Sequence, residues 1–91
     1  MSVNDKKDWQ VYIAQSTKTK RFYTGIAINL EKRLKSHNSG NGAKFAVDQG
    51  PLKLVYKSGA IYSKSEARRR EMQIKPWRQE KKVWLIKGII E

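Results

Sequence analysis

The 91 residues hold 20 lysines and arginines against 8 aspartates and glutamates, a formal charge of +12 with a pI near 10.2. That length makes one small domain with a modest core, too short for a catalytic domain plus a separate recognition domain. No cysteine is present, which excludes a disulfide framework, a thiolate nucleophile and a cysteine zinc site, and fits a reducing, cytoplasmic setting.

A domain this basic calls for a polyanionic partner. Membrane-surface binding would place the cations on one helix face with bulky apolar residues opposite. Here they are spread over every segment, so nucleic acid is the expected partner and no membrane is. The polar N-terminus does not resemble a signal peptide, and no run approaches the roughly 18 apolar residues of a membrane span.

Residues 1–8 read as a flexible tail, 9–87 as the single domain and 88–91 as a short C-terminal tail. From Trp9 to Ala14 the chain alternates, with Trp9, Val11 and Ile13 facing one way and Gln10, Tyr12 and Ala14 the other. A polar turn over 15–20 leads to a second short strand over 21–24, which Gly25 ends, so the two strands form a hairpin. Pairing symmetric about that turn sets Tyr12 opposite Tyr23.

Asn29 is a good N-cap for a helix over about 30–38, with Leu30 and Leu34 as its apolar stripe and Arg33 and His37 one turn apart beside it. Residues 39–51 read as a loop with Phe45 and Val47 as anchors. A third strand over 52–57 places Leu52, Leu54 and Tyr56 on one face. Ser63 and Glu66 form a capping box for a helix running to about Lys75. Pro76 interrupts, and a last helix over about 77–87 uses Trp77, Trp84 and Leu85 as core contacts, with Gly88 as its C-terminal cap. The order β-β-α-β-α-α implies a small three-stranded sheet with helices packed against it.

Several residues can carry chemistry. Glu71 shares a helix face with Ala67, Arg70 and Ile74, so its carboxylate rides at the buried edge and needs a cation, either an arginine or a metal. Arg33 offers the planar fork that suits phosphate oxygens. His37, the one histidine, can hydrogen-bond a phosphate, shuttle a proton or bind a metal. Tyr12 and Tyr23 are strand hydroxyls, which more often serve packing than proton transfer. No glycine-rich phosphate loop and no pair of histidines for a metal centre is present. A single carboxylate can still hold magnesium, which keeps most of its waters.

In this arrangement the chain resembles the GIY-YIG nuclease family, especially its small stand-alone bacterial members, from about Trp9 to Ile86. Gln10-Val11-Tyr12 stands at the first motif and Tyr23-Thr24-Gly25 at the second. Arg33 and His37 follow on the first helix, and Glu71 matches the metal-binding glutamate. Gln10 replaces the glycine of the first motif, and Thr24 sits in the middle of the second.

The resemblance implies an α+β fold with a small antiparallel sheet, and a DNA endonuclease using one Mg²⁺ or Mn²⁺ held by Glu71. Tyr12 would act on the attacking water as base or orienting group, Tyr23 and His37 would support it, and Arg33 would stabilise the phosphoryl charge. Around them, Lys32, Lys35, Asn38 and Lys44 are expected nucleic-acid contacts of the first helix and its loop. Arg68, Arg69, Arg70 and Lys75 are those of the second helix. DNA, branched or damaged, is the expected substrate in repair or recombination, with RNA an alternative. The chain is expected to be a monomer that takes recognition from its own basic face or from a protein partner. The competing readings are a nucleic-acid-binding module without catalysis and an interaction domain of a repair complex.

Overall fold

The computed structural model describes residues 7–38 and 51–90. They form strands β1 (Gln10–Ser16), β2 (Phe22–Ala27) and β3 (Leu52–Lys57), and helices α1 (Leu30–Asn38), α2 (Lys64–Ile74) and α3 (Gln79–Ile86). The fold is the expected small α+β arrangement, with one antiparallel sheet in the order β2-β1-β3. Phe45, Val47 and Lys44 lie outside the described residues.

The alternation in β1 decides everything around it. Val11 and Ile13 are fully buried on one face, in a cluster with Ala67 and Ile74 of α2 and Leu85 of α3. Tyr12 and Ala14 are buried on the other, with Ala27, Leu30 and Leu52. So α1 covers one face of the sheet, and α2 and α3 cover the other. Burying Ile13 and Ile74 completely stabilises the fold by about 1.5–3 kcal/mol each.

Three local expectations change. First, β1 and β2 pair with Tyr12 opposite Gly25 and Ala14 opposite Tyr23, two residues away from the symmetric register. The reason is the turn: Gln15 and Ser16 belong to the strand, and the loop is residues 17–20. Ser16 closes it by accepting from the Lys18 and Thr19 amides at 3.1 and 2.9 Å, and Lys20 supplies the left-handed residue at φ 65°. Second, β2 does not end at Gly25 but runs through it to Ala27. Third, the β1–β3 register shifts between Ile13 and Ala14, so that Tyr56 opposes Ile13 and Leu54 opposes Ala14. That bulge at Val55 sends Leu52 and Leu54 to the α1 face and Val55 and Tyr56 to the α2–α3 face.

The helix caps follow the sequence. The Asn29 carboxamide oxygen accepts from the Lys32 amide at 3.1 Å. The Ser63 hydroxyl accepts from the Glu66 amide at 3.2 Å, and Glu66 accepts from the Ser63 amide at 2.9 Å. Pro76 does not open α3, which begins at Gln79 after an extended Arg78. Leu85 is buried and Trp77 packs on the core as expected, but Trp84 is 40% exposed. At the end of α3, Gly88 (φ 76°) donates to the Leu85 carbonyl at 3.1 Å and Ile89 to the Trp84 carbonyl at 2.8 Å, a Schellman cap. Ile90 then packs against the Val11–Ile13 cluster.

Candidate active site

Tyr12 is the best-defined part of the site. Its side chain is 6% exposed, held on the α1 face among Leu30, Leu52 and Ala14. Across the ladder it lies over Gly25. A Cβ built there would fall 2.6 Å from the Tyr12 hydroxyl and 2.7 Å from the ring carbon that carries it. The glycine is therefore present for space, since its backbone conformation is one that other residues adopt. It lets the phenol reach from the central strand β1 to the outer strand β2. Tyr23 sits on the same face, diagonal to Tyr12 and packed against the same cluster.

Gln10, standing where the first motif has glycine, has a structural use that the alternation does not reveal. Its side-chain amide donates to the Ser58 carbonyl at 2.8 Å, while the Ser58 hydroxyl accepts from the Val11 amide at 2.9 Å. Together these bonds tie Gln10 and Val11, the two residues before Tyr12, to the residue that follows β3. Thr24, on the other face, has a buried hydroxyl oxygen without a hydrogen-bond partner among the described residues.

Arg33 is on α1, exposed, with its backbone set by the Asn29 cap at 3.1 Å. It lines an open cleft of about 380 Å³ with Lys32 and Ser36, floored by Ile26, Ala27 and Trp9. Trp9 was legible only as a core residue; its place in this cleft depends on an antiparallel bridge to Tyr62 that no sequence signal marks. Among the described residues, Arg33 has no carboxylate within ion-pair distance. His37 and Asn38 complete the backbone of α1, and their side chains lie outside the described residues. Lys35 is exposed on the same helix.

Glu71 stands in another layer of the fold. Its helix buries Ala67 and Ile74 against the opposite sheet face, where α2 meets β1 and β2. The carboxylate flanks that buried stripe and is 15% exposed. Its closest cation is the exposed Arg68, with Nε 4.0 Å away, a contact too long and too solvated to hold the charge firmly. Tyr12 and Tyr23 are thus brought together on one face with α1, and Glu71 belongs to the helix packed on the other. Glu71 lines neither the Arg33 cleft nor the cleft beside Tyr23.

A metal fits this donor set in one form. Among the described residues no three of His, Cys, Asp and Glu cluster, so no all-protein cage is available. A sheltered carboxylate with only a weak cation partner suits a hydrated Mg²⁺ or Mn²⁺ that takes its other ligands from water and phosphate.

The other expected contacts divide. Arg68 and Arg69 are exposed on α2, and Lys75 is exposed at its C-terminal cap. Arg70 is held along the surface: it donates to the Gln73 side chain at 3.1 Å and lies 5.4 Å from the centre of the Trp77 ring, which Lys81 approaches at 4.3 Å. Lys82, not singled out by spacing, is half-buried beside Tyr23, and burial first, then the charge of Lys75, hold its ammonium below its ordinary pKa.

The GIY-YIG catalytic domain family model matches residues 8–83. A UPF0213 protein of Staphylococcus haemolyticus is 42% identical over 76 residues, spanning 84% of this chain and 90% of that protein. The GIY-YIG domain-containing protein 242L of Invertebrate iridescent virus 6 is 39% identical over 85 residues, spanning 93% of this chain and 85% of that protein. The solution NMR structure of a UPF0213 protein from Bacillus halodurans matches with a TM-score of 0.52 at 35% identity, over 87% of this chain and 82% of that one.

Proposed function

Because this chain belongs to the GIY-YIG family, we propose that it is an endonuclease that hydrolyses DNA phosphodiester bonds with one divalent metal ion, Mg²⁺ or Mn²⁺. The observation that carries this reading is the Tyr12 phenol laid across Gly25. It delivers a hydroxyl to the outer strand that α2 packs against and from which α1 departs. A binding surface alone would not require a buried tyrosine reaching over a strand with a glycine cleared for it.

In this reading Tyr12 orients the attacking water, as its base or as its hydrogen-bond partner, and Tyr23 and His37 support it. Arg33 offers its guanidinium to the non-bridging oxygens as charge builds on the phosphoryl group. Glu71 holds the metal. When bound, the cation supplies Lewis-acid stabilisation of the phosphate and the leaving oxygen. The exposed Lys32, Lys35, Arg68, Arg69 and Lys75 neutralise the flanking backbone. Branched or damaged DNA is the substrate class to try first, and a protein partner would supply further recognition.

A non-catalytic binding module is the second reading. The fact in its favour is that Glu71 belongs to the helix on the opposite sheet face from Tyr12. The two separate in one assay. Supercoiled plasmid, flap and branched DNA, and RNA are incubated with Mg²⁺, Mn²⁺ or a chelator, beside Glu71→Ala and Arg33→Ala. Metal-dependent cutting that falls about a hundredfold or more in each variant supports the nuclease. Equal cutting by Glu71→Ala, or none by wild type with any metal, leaves the binding module.

A further inference from the structure

A second cleft, of about 310 Å³, lies between the start of β2 and the first turns of α3. Arg21, Phe22 and Tyr23 form one wall, and Gln79 and Lys82 the other. Its polar side chains are mostly donors: a guanidinium, an ammonium, a carboxamide and a phenol. Neither Arg21 nor Lys82 has a carboxylate within ion-pair distance among the described residues. Lys82 is half-buried and also feels the positive charge of Lys75. Two cations facing one recess, a third nearby and no acid to neutralise them form an arrangement completed by an anion.

Tyr23 identifies which anion. It faces this cleft and also packs in the Tyr12 cluster, so whatever fills the recess sits directly beside the proposed reaction centre. Successive phosphates along a strand are the anions that arrive together at such neighbouring places. We propose that this cleft seats a backbone phosphate of the nucleic acid beside the Tyr12–Tyr23 cluster, with Arg21 and Lys82 as its charged contacts and Gln79 as a neutral one. The proposal rests on the nucleic-acid part of the nuclease reading and not on cleavage. The arginine fork fixes the phosphate in orientation, while Lys82, relieved of its unfavourable burial by a counter-charge, supplies the point charge.

The test is binding without turnover. A short duplex DNA is titrated by fluorescence anisotropy in chelator at several salt concentrations, with wild type, Arg21→Gln, Lys82→Gln and Lys57→Gln. Lys57 is exposed on β3, the opposite outer strand, and controls for the loss of one charge. Arg21→Gln and Lys82→Gln should each flatten the slope of log affinity against log salt by about 0.9, which weakens binding about five- to tenfold at 0.1 M salt. Lys57→Gln should do neither. Unchanged slopes for the exposed Arg21→Gln, or the same change in all three, overturn the seat, and Arg21 decides the matter if Lys82→Gln lowers the melting temperature. Metal-dependent cutting by wild type, measured separately, keeps the two proposals apart. Cutting with unchanged slopes refutes only the seat, and flattened slopes without cutting refute only the nuclease.

Discussion

Tyr12 and Gly25 behave as one unit, because the ring of the first occupies the space a side chain would take at the second. Gly25→Ala should force the ring to swing inside a packed cluster, at a cost of about 1–3 kcal/mol. Cutting should fall by more than the loss of folded protein explains, and thermal melts beside the plasmid assay will show whether it does. One strand position away the opposite change helps. The buried Thr24 hydroxyl has no partner among the described residues, so Thr24→Val keeps the shape and removes an unsatisfied group. Stability should rise by about 1 kcal/mol in a denaturant melt, and a loss would mean that the hydroxyl is satisfied in solution. Residue types suggested the site but could not display this pairing. Alternation puts Tyr12 and Tyr23 on one face, and it does, but which residue lies opposite Tyr12 is decided by the turn. That turn uses Lys20 in the left-handed region in place of a glycine, and so carries no recognisable signature.

At the level of elements, caps were legible and strand irregularities were not. Asn29 and the Ser63–Glu66 box are short-range chemistry, complete within four residues, and both form. The bulge at Val55 is not short-range, because it exists only against β1, and it moves Tyr56 away from the face that simple alternation assigns. Gly25 reads as a strand end by composition, yet is a mid-strand residue serving a neighbour. Trp84 reads as core by type and is substantially exposed, since Leu85 and Ile86 carry the buried side of α3. The capping box also makes a pH prediction. Hydrogen bonds from the backbone of Ser63, and beyond them its side chain and the charge of Lys7, hold Glu66 below its ordinary pKa. A carboxyl shifted down stabilises the fold above its unfolded pKa and loses that contribution as pH falls through the folded one. The difference in melting temperature between wild type and Glu66→Ala should therefore be full at neutral pH and shrink in acid. A constant difference would show that the carboxylate charge plays no part.

For the whole molecule, the two sheet faces divide the chain between them. The α1 side holds both tyrosines and the arginine, and the α2–α3 side holds Glu71. The site proposed here is not a pocket inside either layer. It would draw on residues of both layers, and the charge of +12 draws a polyanion toward the molecule from any direction. The family and the element order could be read before any geometry, but the division of the site between the faces could not. It depends on which helix crosses which face, a long-range outcome of where the apolar stripes of α1, α2 and α3 find partners.

The strand order β2-β1-β3 also dictates a timetable. The first strand to be synthesised ends in the middle, so it acquires one neighbour at once and the other much later. The hairpin joins residues 15 and 22 and can close within about 1–10 μs, whereas β3 must bring residue 52 to residue 16 across more than thirty intervening residues. Until then Ile13 has half a sheet around it and stays wet. If docking of β3 is the step that commits the chain, Leu54→Ala should slow refolding in stopped-flow tryptophan fluorescence. An effect confined to the unfolding limb would show that the core closes before its last strand arrives.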